Sequence, residues 1–169
     1  MPARPIIQHL FDSFIIERFG VTKKGLFSPD GKDIIVGQGA TIVGGIDCGQ
    51  TLYIGKDAII RGSVRATVDI VLGADCNIEG DVEAGSNVIG MTGARVWGKL
   101  ACNGNAKLHG TNVAGHVITG GDVIIKGETR VREIHANGRI RVLEAPEPDE
   151  PPLVEAAVTS ERPTLLKLA

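Results

Sequence analysis

Residues 33–104 decide the fold when they are written in four rows of eighteen: DIIVGQGATIVGGIDCGQ from Asp33, TLYIGKDAIIRGSVRATV from Thr51, DIVLGADCNIEGDVEAGS from Asp69 and NVIGMTGARVWGKLACNG from Asn87. The rows align without a gap. One column reads Ile34, Leu52, Ile70, Val88, and the column two places on reads Val36, Ile54, Leu72, Gly90. Two more aliphatic columns are Ile42, Ile60, Ile78, Val96 and Ile46, Val64, Val82, Leu100. Small residues stack as Ala40, Ala58, Cys76, Ala94 and as Cys48, Ala66, Ala84, Cys102, while Gly44, Gly62, Gly80 and Gly98 share a column of their own.

Within each row the inward candidates come in pairs two apart, and the pairs recur every six residues. A period of two inside a pair is a strand signal. Three pairs per eighteen residues predict three short strands per coil, each with one face toward a common interior and each hydrogen-bonded to the coil above. Glycine and β-branched residues at this density oppose a helix. The pattern continues past residue 104 with single-residue deletions. Val113 and Val117 follow Val96 and Leu100 at seventeen, Val131 and Ile134 follow with another residue missing, and Ile140 and Val142 start a last strand. Residues Gly104 to Gly121 fit the columns poorly. The reading is an all-β, single-stranded β-solenoid over residues 33–144, about six triangular coils of about eighteen residues. At roughly 4.8 Å per coil that makes a rod of about 29 Å.

Glycine and proline placement supports this. Twenty of the 23 glycines lie between Ile34 and Glu144, and all eight prolines lie outside that stretch. Each coil must offer its N–H groups to a neighbour, which proline cannot do. A net charge of −2 provides no basic field, so no nucleic-acid partner is expected. No apolar run reaches the roughly 18 residues of a membrane span, and no signal-peptide pattern is visible. The expected compartment is the cytoplasm. Three cysteines without C-x-x-C spacing argue against a disulfide framework or zinc cluster. Cys48 and Cys102 share a column but stand three coils apart, roughly 14 Å, too far to bridge. All three are expected to be buried small hydrophobes.

The blocks ATIVGGIDC, AIIRGSVRA, CNIEGDVEA and ARVWGKLAC resemble the bactofilin repeat, an aliphatic-x-Gly-x-aliphatic-x-small unit that recurs once per coil. The resemblance spans Ile34 to about Val142. It implies a right-handed triangular β-helix that polymerises end to end without nucleotide and serves as a cytoskeletal scaffold. Some members carry a membrane-binding segment, so a peripheral place at the inner face of the membrane is open to this chain, as is contact with other solenoid paralogues through its N-terminal helix. The rival resemblance is to the left-handed hexapeptide-repeat enzymes, trimeric acyltransferases and γ-type carbonic anhydrases. Val36-Gly-Gln-Gly-Ala40, Ile54-Gly-Lys-Asp-Ala58 and Leu72-Gly-Ala-Asp-Cys76 fit that template. It prefers small residues at the fifth hexad position on every face, however, and here that position is small on one face in three. Spacing alone does not fix handedness.

No catalytic, cofactor-binding or metal-binding residue is expected. His109 and His116 are the candidate base or ligand if the chain is an enzyme. His135 falls one column over from His116, and no arrangement brings three imidazoles together. Asp33, Asp69 and Asn87 form a short polar column suited to side-chain-to-backbone bonds at a turn.

A solenoid has two ends whose strand edges must be capped or paired. Ile34, Val36 and Ile42 at one end, with Ile134, Ile140 and Val142 at the other, are the expected self-assembly residues. Residues 1–32 read as an amphipathic helix and linker, with Ile6, Ile7, Leu10, Phe11, Phe14, Ile15 and Phe19 at helical spacing, Pro5 in the first turn and Gly20 at its end. Three roles are open to that helix: a solenoid cap, a membrane-surface anchor, or a partner or self-association segment. Residues 145–169, rich in proline and acidic residues, read as a disordered tail offered to protein partners.

Overall fold

In the computed structural model, residues 7–10, 13–28, 31–143 and 155–159 are described. They form a parallel β-solenoid with no helix among them. There are about seven coils where the repeat predicts six: coil 1 (13–28), coil 2 (33–48), coil 3 (52–66), coil 4 (70–84), coil 5 (88–102), coil 6 (106–119) and coil 7 (123–136). Each coil places one strand on each of three faces. Face 1 carries Ser13–Ile16, Asp33–Val36, Leu52–Ile54, Ile70–Leu72, Val88–Gly90, Ala106–His109, Val123–Lys126 and Ile140–Leu143 in that order. Face 2 carries short strands such as Thr41–Ile42 and Ile59–Ile60, and face 3 strands such as Ile46–Cys48 and Val64–Ala66. In coils 6 and 7, one long strand, Asn112–Thr119 or Arg130–Ala136, runs through both faces.

The register is the column alignment of the sequence. Ile34 pairs with Leu52, Leu52 with Ile70, Ile70 with Val88 and Val88 with Ala106. Ile46, Val64, Val82, Leu100 and Val117 pair likewise along face 3. Every inward member of these columns is buried. The N–H groups of Ile34, Leu52, Ile70 and Val88 donate at 2.9–3.1 Å to the carbonyls of Thr51, Asp69, Asn87 and Asn105 in the next coil, which is why proline is excluded here. The stretch from Gly104 to Gly121 keeps the face 1 columns and loses one residue at a corner. Ala106 and Leu108 occupy the columns of Val88 and Gly90, and the missing residue falls in the corner between Leu108 and Asn112.

Three corners turn the chain, and each has its own chemistry. At the corner between faces 2 and 3 the glycine column is packed too tightly for side chains. A Cβ on Gly62 would lie 2.5 Å from the Gly45 nitrogen, and one on Gly80 2.6 Å from the Ser63 nitrogen. At the corner between faces 1 and 2 one residue per coil adopts a left-handed φ: Phe19, Gly39, Asp57, Asp75, Gly93, Gly110 and Gly127. Glycine and aspartate tolerate that conformation; phenylalanine does so only under strain. At the third corner the short polar column bonds as expected, but to the next coil rather than within its own turn. Asp33 accepts from the Thr51 N–H at 3.0 Å, Asp69 from Asn87 at 2.8 Å, Asn87 from Asn105 at 2.9 Å, Asn105 from Asp122 at 2.7 Å, and Asp122 from Arg139 at 2.7 Å.

The core changes character toward the C-terminus. In the small-residue column, alanine and cysteine give way to Thr111 and Thr129, both fully buried. Thr111 fills the space that Gly90 leaves, and its hydroxyl donates to the Met91 carbonyl at 3.3 Å. Thr129 donates to the Lys126 carbonyl at 3.3 Å, and Thr119 to that of Gly121 at 3.1 Å. Each buried hydroxyl therefore has its bond, the condition for placing it inside.

Candidate functional site

The N-terminal end of the rod lies one coil before the position expected for it. Ile34, Val36 and Ile42 are 0–1% exposed, because coil 1 lies over them with Phe14 paired to Ile34, Ile16 to Val36 and Thr22 to Ile42. They are interior core, and the end surface belongs to coil 1. That coil stands twenty residues before coil 2 rather than eighteen, so it does not line up with the rows. The helix expected over Ile6–Phe19 is replaced by strands. Ile7 and Leu10 lie in Ile7–Leu10, and Phe14 and Ile15 in Ser13–Ile16; Phe19 sits in a corner, and Ile6 and Phe11 lie outside the described residues. A helix of about fourteen residues is marginal on its own, whereas Ser13–Ile16 gains a complete ladder on coil 2.

The two ends are closed on different faces. At the N-terminal end Ile7–Leu10 pairs antiparallel with Ser13–Ile16, Ile7 opposite Ile16 and Leu10 opposite Ser13. It covers the outer edge of face 1. On faces 2 and 3, Val21–Thr22 and Leu26–Ser28 have their coil 2 neighbours and no other among the described residues. The same coil carries three large exposed apolar side chains, Phe19 (68%), Val21 (52%) and Phe27 (70%). Phe19 has φ 56° and its ring lies over Gly39; the Arg18 guanidinium sits 5.8 Å from the ring centre and donates to Gln38 at 3.0 Å. At the other end Glu155–Thr159 pairs parallel with Arg130–Ala136, within the segment expected to be a disordered tail. The rest of 144–169 lies outside the described residues. Ile134 and Ile140 are buried and Val142 is half-buried. Among the described residues, Ile140–Leu143 has a neighbour on its inner side only.

A second cluster lies on the outer side of face 3, between coils 6 and 7. The His116 Nδ1 lies 2.9 Å from one Glu133 oxygen, and the His135 Nε2 lies 3.1 Å from the other. The two imidazoles stack at 6.0 Å between centroids. His116 stands directly opposite Glu133 in the register, and His135 is two residues beyond Glu133 on the same strand face. A search restricted to three imidazoles overlooks this arrangement. The readable signal was a carboxylate in the His116 column, since both residues precede the first inward residue of face 3, Val117 or Ile134. His109 lies apart, at the end of Ala106–His109.

On the same face, two coils before His116, Glu83 of coil 4 bridges Arg65 of coil 3 at 2.9 Å and Lys99 of coil 5 at 3.2 Å. The hydrogen bond from Arg65, and then that from Lys99, holds its carboxyl below the ordinary carboxylate value. Cys48, Cys76 and Cys102 are buried free thiols, as expected. Burial pushes Cys76 up to about 12 and Cys102 up to about 11, which removes them as nucleophiles at neutral pH.

No protein-family model matches the chain, no curated protein matches it, and no solved structure matches it. The fold itself is plain: this is a parallel β-solenoid protein of about seven coils with turns of about eighteen residues.

Proposed function

We propose that the protein is a non-enzymatic, bactofilin-like scaffold that assembles end to end through its solenoid termini, without nucleotide, and organises other proteins or a membrane-associated structure in the cytoplasm. The observation that carries this reading is the terminal coil. Among the described residues Val21–Thr22 and Leu26–Ser28 offer strand edges, and Val21 and Phe27 stand exposed beside them. Unpaired edges with apolar neighbours are templates for another chain. The outer side of Ile140–Leu143, with Leu143 about half exposed, supplies an edge at the opposite end. The assembly surface therefore moves from Ile34, Val36 and Ile42 to Phe19, Val21 and Phe27, while Ile140 and Val142 keep their place near the far end. The same exposed residues suit contact with a membrane surface, and residues 145–169 suit protein partners.

Electron microscopy with sedimentation of the purified chain tests the proposal. Filaments are expected from the wild type, and short particles from a Val21→Asp, Phe27→Glu double variant whose circular dichroism is unchanged. A uniform trimer from both proteins would sink it. The trimeric hexapeptide-type enzyme is the second reading. It draws support from His116, since an imidazole held by a carboxylate is the way a base is oriented.

A further inference from the structure

We propose that His116, Glu133 and His135 form a binding site for one divalent transition-metal ion of the zinc class, which ties coil 7 to coil 6. The donor atoms are the Nδ1 of His116, a carboxylate oxygen of Glu133 and the Nε2 of His135, all within 4.8 Å of one another. A tetrahedral zinc ion with bonds near 2.1 Å holds its ligand atoms about 3.4 Å apart. The imidazole–carboxylate separations are 2.9 Å to one Glu133 oxygen and 3.1 Å to the other, and the ligand atoms, all within 4.8 Å of one another, reach that spacing by side-chain rotation. Two imidazoles and one carboxylate match zinc, copper or nickel; calcium and magnesium prefer all-oxygen sets.

The backbone makes the site stiff. His116 comes from Asn112–Thr119, while Glu133 and His135 come from Arg130–Ala136, and the two strands are paired on both sides of the cluster, at Val113↔Val131 and at Val117↔Ile134. The side chains are partly exposed, at 45%, 28% and 47%, so an ion can enter from solvent and keep a water or a partner's donor in its fourth position. The nearest competing cation in the His116 column is Lys99, which is turned to Glu83 at 3.2 Å. The Glu133 carboxylate already lies within ion-pair distance of both rings, so the ligands are gathered. A bound ion adds a cross-link where the regular ladder is one residue short at its corner, and it stabilises the folded state by mass action.

The test uses the full-length, untagged protein stripped with a chelator and titrated with zinc chloride by calorimetry. Cobalt(II) spectra and thermal melts run alongside. One ion per chain in the micromolar range, tetrahedral cobalt bands and a raised melting temperature are expected. Even loss of an outer partner of a ligand costs about 10–100-fold in affinity. His116→Gln, Glu133→Gln and His135→Gln should therefore each weaken zinc by at least about tenfold, while His109→Gln leaves it unchanged. Circular dichroism of the metal-free variants checks that each is folded; if His116→Gln is not, Glu133→Gln decides. Failure of the wild type to take up zinc overturns the proposal. So does equal binding by wild type and folded variants, or equal weakening by His109→Gln, either of which marks adventitious surface binding.

Discussion

Coils 2–5 and coils 6–7 are built from the same columns, yet they carry different chemistry. The central coils repeat every eighteen residues, with glycine at every corner between faces 2 and 3 and an interior of aliphatic residues, alanine and cysteine. Coils 6 and 7 each drop one residue at a corner, take three threonines into the core, and carry the His116–Glu133–His135 cluster outside. Coil 1 departs as well, with a spacing of twenty and a phenylalanine in a left-handed corner where other coils have glycine or aspartate. In the centre a single outer pattern serves stacking alone. Where the repeat is broken, side chains can be placed for something else, and both candidate sites lie there.

The sharpest way to break this comparison is to remove core volume at the two kinds of position. Leu52 is fully buried, with Ile34 and Ile70 on either side in its column. Leu52→Ala leaves a cavity that two rigid neighbours cannot close, and should cost about 2–5 kcal/mol in urea unfolding. Ile140 is also buried, but only Val123 flanks it in its column among the described residues. Ile140→Ala should cost about 1–2 kcal/mol, because an end strand can settle into the space. Equal costs would mean that the last coils are as consolidated as the centre.

The corner supplies the next test. Gly62→Ala puts a methyl 2.5 Å from a backbone nitrogen of the coil below, and only a backbone shift relieves it. The expected loss is about 1–3 kcal/mol in the same measurement. At the shortened corner of coil 7 Arg132 alone stands opposite Ala114 and Gly115, and it is exposed. Arg132→Ala should stay within about 0.5 kcal/mol. A harmless Gly62→Ala would show that the central corner can open.

How much of this was legible follows the same division. The columns of residues 33–104 gave the strands, faces and register, because each position was constrained by identical neighbours above and below. Coil 1 was not legible. Phe14, Ile15 and Phe19 also fit a helical spacing, and only the ladder offered by Asp33–Val36 decides for a strand. That offer is a tertiary fact which local periodicity does not contain. Thr111 was missed for a related reason. A threonine in an alanine column reads as a fault until its hydroxyl is seen bonded to Met91 and its bulk filling the gap at Gly90. Both histidines and Glu133 were visible in the sequence. Their convergence needed the register across the shortened corner, together with the pairing of an imidazole column and a carboxylate column.

The smallest expected effect separates charge from metal on face 3. Glu83, held by Arg65 and Lys99, has its carboxyl lowered from 4.5, and Arg65 is raised in turn, so both partners favour the charged pair. A carboxyl lowered in the folded state adds stability above its unfolded value, and that contribution fades as pH falls through the lowered folded value. The three side chains are solvent-exposed, so the contribution is small and screened by salt. Glu83→Gln should therefore shift the urea midpoint slightly at pH 7 and low salt. The shift should shrink as pH falls below about 4, vanish at high salt and ignore zinc. Glu133→Gln, by contrast, should abolish the zinc-induced rise in melting temperature at any ionic strength. If the two variants respond alike to salt and to zinc, the carboxylates at 83 and 133 are the same kind of surface ion pair, and the contrast between the regular and the broken coils is lost on this face.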